Sequence, residues 1–99
     1  LRDYNFFVYI TTNPKKTVLY VGVTNDLYTR MNQHYEDCKG KKKTFAGRYF
    51  CYNLIYFERH SYINHAIERE KEIKGWTRDK KVKLIDEFNP EWNFLNDEI

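Results

Sequence analysis

A chain of 99 residues is enough for one domain and too short for two. With 17 basic and 14 acidic residues the net charge is only +3, while an aromatic share of 18% supplies large apolar side chains for a small core. No apolar run approaches the ~20 residues of a membrane span, no signal-peptide pattern is visible, and Cys38 and Cys51 are too few for a disulfide framework, so a soluble cytoplasmic protein with no membrane contact is expected.

Phe6–Ile10 is a β-branched and aromatic run that predicts a strand. Asn13-Pro14-Lys15-Lys16 predicts a turn, and Val18–Val23 a second strand completing a hairpin. Asn25 or Asp26 can cap a helix that runs to about Asp37. Residues 40–47 read as a basic loop and Tyr49–Glu58 as a third strand. Ser61 can cap a second helix ending near Gly75, and Thr77 a third helix to about Phe88, stopped by Asn89-Pro90. The order β-β-α-β-α-α implies a small α+β layer, a single domain over residues 1–99.

Charge is distributed unevenly along these elements. Residues 13–48 hold eight Lys/Arg and three Asp/Glu, whereas residues 49–99 hold eight and ten. The first half is therefore the side expected to face a polyanion, with Lys41, Lys42, Lys43 and Arg48 as phosphate contacts. A merely solvated basic loop fits the composition equally well.

Strand alternation places Phe7 and Tyr9 on one face, and Phe6, Val8 and Ile10 on the other. Val18, Tyr20 and Gly22 share a face of the second strand. With Tyr9 across from Tyr20 both phenols project from one side, and Gly22 leaves room there for a ligand or another backbone. On strand geometry alone, two core tyrosines and a bulge glycine are the simpler account.

Arg30 and His34, at i and i+4, share a helical face flanked by Leu27 and Met31, which suggests the rim of a pocket or an arginine snorkelling from a buried stripe. His34, Cys38 and Cys51 lack the paired spacing of a structural zinc site. In the next helix Ile63, Ala66, Ile67 and Ile73 form an apolar stripe that contains Glu70, while Glu68, Arg69, Lys71 and Glu72 fall outside it and read as solvated. A carboxylate on an apolar face is costly unless paired or bound to a metal, and Arg30 is a candidate partner. A carboxylate, a guanidinium, an imidazole and two phenols together suit phosphodiester hydrolysis assisted by Mg²⁺ or Mn²⁺.

At these residues the sequence resembles the GIY-YIG nuclease superfamily, closest to its small single-domain bacterial branch of uncharacterised proteins and similar to the N-terminal domain of an excision-repair endonuclease subunit. Phe7-Val8-Tyr9 matches the first motif and Tyr20-Val21-Gly22 the second. Asn25-Asp26-Leu27, Arg30 and His34 follow at suitable spacing, then Glu70 and the ending Pro90-Glu91-Trp92-Asn93. Phe7 stands where the first motif has Gly.

The resemblance implies a three-stranded antiparallel sheet flanked by helices and a one-metal hydrolysis with the cation on Glu70. It implies Tyr9 as proton acceptor, Tyr20 orienting phosphate or water, Arg30 stabilising the transition state, His34 assisting Tyr9 or contacting phosphate, and Gly22 and Asn93 supporting the site. A DNA endonuclease, structure-specific and linked to repair or recombination, is the activity it implies, with RNA a second candidate substrate. Larger relatives carry separate DNA-binding domains, so this chain is expected to use its own basic loop or a protein partner for specificity. The alternative is a weakly active or non-catalytic nucleic-acid-binding module of the same fold.

Overall fold

The computed structural model describes residues 4–40 and 44–99. Lys41, Lys42 and Lys43, the centre of the expected phosphate contacts, lie outside the described residues.

The hairpin forms as its sequence predicts, from β1 (Phe6–Thr12) and β2 (Leu19–Thr24). Asn13 organises the turn. Its carbonyl accepts from the Lys16 N–H at 2.9 Å, and its Oδ1 accepts from the N–H groups of Thr17 and Val18 at 2.8 and 2.9 Å. Pro14 sets the first central torsion, and Lys16 takes a left-handed φ of 59°. β3 (Asn53–His60) pairs with the other side of β1, so the antiparallel sheet has the order β2-β1-β3 with β1 at its centre. The register shifts between Ile10 and Thr11, where Tyr56 and Leu54 are the successive partners. The extra residue, Ile55, is a bulge of the two-against-one kind.

β3 begins four residues later than its composition predicts. Phe45–Arg48 forms a short helix, α2, inside the expected loop. Phe50 then turns the chain with φ 60°, and the Cys51 N–H bonds back to the Ala46 carbonyl at 2.8 Å. A one-turn helix has too few residues to display a periodicity.

Alternation along β1 sorts the core into two parts. Val8 and Ile10, with Val21, Ile55 and Tyr56, pack on Ala66 and Ile73 of α3 (Ile63–Lys74) and Ile85 of α4 (Arg78–Phe88). On the opposite face Tyr9 and Leu54 pack with Leu27 and Met31 of α1 (Leu27–Lys39) and with Leu95 from the tail. Asp26 caps α1 by accepting from the Thr29 N–H at 3.0 Å, and Thr77 caps α4 by accepting from the Lys80 N–H at 3.3 Å. Ser61 does not cap α3. Tyr62 holds that position without a side-chain hydrogen bond. Ile63, at the exposed first turn, also departs from the expected stripe.

The tail is tied to the sheet by two asparagines. Asn89 donates from Nδ2 to the carbonyls of Ile55 (3.0 Å) and Asn93 (2.8 Å), and Asn96 accepts from the Leu54 N–H at 2.8 Å. Trp76 and Trp92 pack against the first core. No helix among the described residues is long and apolar enough to cross a membrane.

Candidate active site

Tyr9 is opposite Gly22, and Tyr20 opposite Thr11, so the two tyrosines are diagonal neighbours on one face of the hairpin, their ring centroids 6.3 Å apart. Gly22 does not leave an opening for a ligand, as its position in the strand suggested. Its space is filled by the ring of Tyr9, and a Cβ built there would stand 2.5 Å from Cζ. The glycine is thus required for Tyr9 to lie flat across the neighbouring strand.

α1 brings His34 onto this pair. His34 is 5% exposed, its Nε2 is 2.8 Å from the Tyr9 hydroxyl, and its ring lies 5.7 Å from that of Tyr9 and 5.4 Å from that of Tyr20. Burial, with a further contribution from the Arg30 charge, pushes the imidazole down to about 4, so it is neutral at pH 7. Burial and the neighbouring Tyr20 hold the Tyr9 phenol well above the ordinary range, and the guanidinium of Arg30 offsets part of that rise. Both members of the hydrogen bond are therefore uncharged and share a single proton between oxygen and nitrogen.

Two polar atoms in this cluster are buried without a hydrogen-bond partner: Arg30 Nε and His34 Nδ1. A buried, unmatched guanidinium N–H is costly in a folded protein and marks a place where an anion would be accepted.

Glu70 approaches from α3, on the other face of the sheet. It is 8% exposed, as expected for the apolar stripe of that helix, and its charge reaches Tyr9. Arg30 is not its partner. Glu70 pairs with Lys74, one turn further along α3, with Nζ 2.5 Å from Oε1. Lys74 also lies over the ring of Tyr20, 5.9 Å from its centroid, and so joins the carboxylate to the tyrosines around the edge of β2. The i, i+4 spacing of Glu70 and Lys74 was visible as a helical pair, but nothing local reveals that Lys74 also reaches Tyr20.

The remaining expected residues stand apart from this cluster. Arg48 is exposed on α2, which packs on α1 through Gly47 and Asp37. Asn93 is exposed, and its main chain is held by Asn89, the buried asparagine of the turn. Phe7, at the position of the motif glycine, packs edge-on against Phe57 at 6.3 Å. Arg69 is not solvated as expected. Its Nε donates to both oxygens of Glu58 at 3.1 and 3.2 Å.

The family model described as the GIY-YIG catalytic domain matches residues 5–83. The chain belongs to the GIY-YIG family. UPF0213 proteins of Staphylococcus aureus strains Mu3, Mu50 and N315 are each 37% identical to it over 81 residues, covering 82% of this chain and 94% of the relative. The solution NMR structure of the UPF0213 protein BH0048 from Bacillus halodurans aligns with a TM-score of 0.49 and 26% identity over 83% of both chains. In this GIY-YIG domain the matched region contains Tyr9, Tyr20, Arg30, His34 and Glu70, and ends inside α4.

Proposed function

We propose that the chain is a divalent-metal-dependent phosphodiesterase that cuts DNA. The observation that carries the reading is the convergence of Tyr9, Tyr20 and His34 beside Arg30, whose Nε is buried without a partner.

The donor chemistry suits one type of metal. Among the described residues no three His, Cys, Asp or Glu side chains converge. A cage made wholly of protein ligands is therefore not what these residues offer. Glu70 is a single carboxylate whose present cation, Lys74, sits on a flexible and half-exposed side chain that can give way. Mg²⁺ or Mn²⁺, which keeps most of its waters and needs only one or two carboxylates, fits Glu70. When bound, such an ion supplies charge neutralisation on the phosphate oxygens.

The protein's own groups do the rest. Arg30 Nε donates to a non-bridging phosphate oxygen and stabilises the charge that grows there. Tyr9 is fully buried in this structure, so its hydroxyl must first open to solvent; it then takes a proton from the attacking water as its own proton passes to His34 Nε2, and the hydroxide forms without a free phenolate in the core. The anionic phosphate offsets the charge that His34 gains. Tyr20 orients the phosphate from the diagonal position. Use of this activity in repair or recombination, on branched or single-stranded DNA presented by a protein partner where specificity is needed, is part of the same proposal.

Purified protein with Mg²⁺ or Mn²⁺ is expected to nick such DNA, with the activity lost in Glu70→Ala. Cleavage that persists undiminished in Glu70→Ala rules out the role given to this carboxylate. Salt-dependent binding without cleavage under any metal would favour the non-catalytic module of the same fold.

A further inference from the structure

Two shallow concavities adjoin along the outer edge of β2, which has no strand partner among the described residues because the sheet order is β2-β1-β3. One, of about 250 Å³, is lined by Thr17, Val18, Leu19, Arg78 and Lys81. The other, of about 320 Å³, is lined by Leu19, Tyr20, Val21, Lys74 and Lys81. Leu19 and Lys81 belong to both, so the two form one groove. It begins near the hairpin turn and ends at Tyr20 and Lys74, the two residues that connect it to the catalytic cluster.

Its charge is of one sign. Lys74 at the end of α3, and Arg78 and Lys81 in the first turns of α4, are all basic, and among the described residues no carboxylate lines either part, although Glu70 pairs with Lys74 at its end. Lys80, the neighbouring cation, turns away to lie 4.5 Å over the ring of Trp76. The basic residues of the second half of the chain are outnumbered by acidic ones, so this cluster is invisible in the net charge and appears only when α3 and α4 meet the hairpin. Three cations beside half-buried Val18 and Leu19 present a positive floor with an apolar wall, a surface that suits the alternating phosphates and sugars of a nucleic-acid strand.

We propose that this groove is the substrate track: Lys81 and Arg78 hold phosphates on one side of the scissile bond and lead the strand across Tyr20 to the catalytic cluster. Lys74 sits at the junction and exchanges its contact with Glu70 for the incoming phosphate. The inference rests on the nuclease reading above, but it concerns where the strand runs rather than whether it is cut. It moves the main phosphate contacts away from the α1–α2 segment, where charge along the sequence had put them.

The test is a fluorescence-anisotropy titration of full-length protein in EDTA against a labelled DNA hairpin with a single-stranded tail, and against RNA of the same sequence, between about 50 and about 200 mM salt. Arg78→Gln with Lys81→Gln is expected to weaken binding and to reduce the slope of log K against log salt by about one for each cation removed. Lys83→Gln, which removes one charge from the exposed opposite side of α4 as each single groove variant does, is expected to leave both unchanged. If the double variant does not fold, each single variant is expected to lose about one unit of slope. Wild-type affinity and slope in the groove variants overturn the track, as does equal weakening in Lys83→Gln or an absence of wild-type binding to either nucleic acid. Glu70-dependent cleavage, measured in parallel, reports on the nuclease reading separately. Intact cleavage with an unaffected slope sinks only the track, whereas lost binding in a protein that never cuts keeps the track and sinks the catalytic role.

Discussion

His34 is the residue at which burial and chemistry meet. Its imidazole is neutral because the second core and Arg30 oppose its charge, and that same opposition links folding to pH. The folded state holds the proton with a pKa of about 4, against the ordinary 6.5 of the unfolded chain. Between these values the unfolded chain binds a proton that the folded one refuses. The His34 contribution to stability therefore falls as pH drops through this window, by on the order of 3 kcal/mol, and levels off below it. Urea unfolding across the window is expected to show this slope in the wild type and to lose most of it in His34→Gln. An equal slope in both proteins would assign the effect to other groups. Assistance to Tyr9 was one of two roles that the family resemblance implied for His34, the other being contact with phosphate, whereas helical spacing alone indicated only that His34 shares a face with Arg30.

At the scale of elements, Glu58 couples β3 to α3. Its carboxylate accepts from Tyr56 Oη, from Arg69 Nε and, at 2.5 Å, from His60 Nε2, and Arg69 also binds Glu72. Burial raises the Glu58 pKa, but the hydrogen bonds from Tyr56 and His60 and the charge of Arg69 outweigh it and hold the carboxyl below its usual range. Glu58→Gln is expected to cost roughly 1–3 kcal/mol by leaving these donors without their charged acceptor. In a double-mutant cycle with Arg69→Met, a coupling above about 0.5 kcal/mol is expected. Strict additivity would mean that the two elements are held by apolar packing alone. Periodicity along α3 put Arg69 in solvent because it describes one helix in isolation. The strand that supplies its partner is absent from that description.

At the scale of the whole molecule, the second core is closed by the end of the chain. Leu95 is buried against Tyr9, Leu27, Met31 and Leu54, and its N–H donates to the Leu54 carbonyl at 2.7 Å. Leu95→Ala is expected to destabilise the protein by roughly 3 kcal/mol, measured by urea unfolding. Because Tyr9 belongs to this core, the proposed cleavage is expected to fail at a lower temperature than in the wild type. A loss below about 1 kcal/mol would indicate that the tail rests on the surface without closing the core.

Both strands of the hairpin, the order of the elements apart from the short helix α2, a cap at Asn25 or Asp26, the Thr77 cap and the buried face containing Glu70 follow from the sequence by itself. Each depends on alternation, helical spacing or a side chain bonding within its own turn. The tertiary structure decided what those local rules cannot express. It filled the space over Gly22 with Tyr9, gave Glu70 to Lys74 in place of Arg30, and drew Lys74, Arg78 and Lys81 into one groove beside Tyr20. The Tyr9–Gly22 contact crosses two strands and the groove crosses the break between α3 and α4, whereas Glu70–Lys74 lies within one turn of α3, and its choice over Arg30 is made by how that helix packs on the sheet.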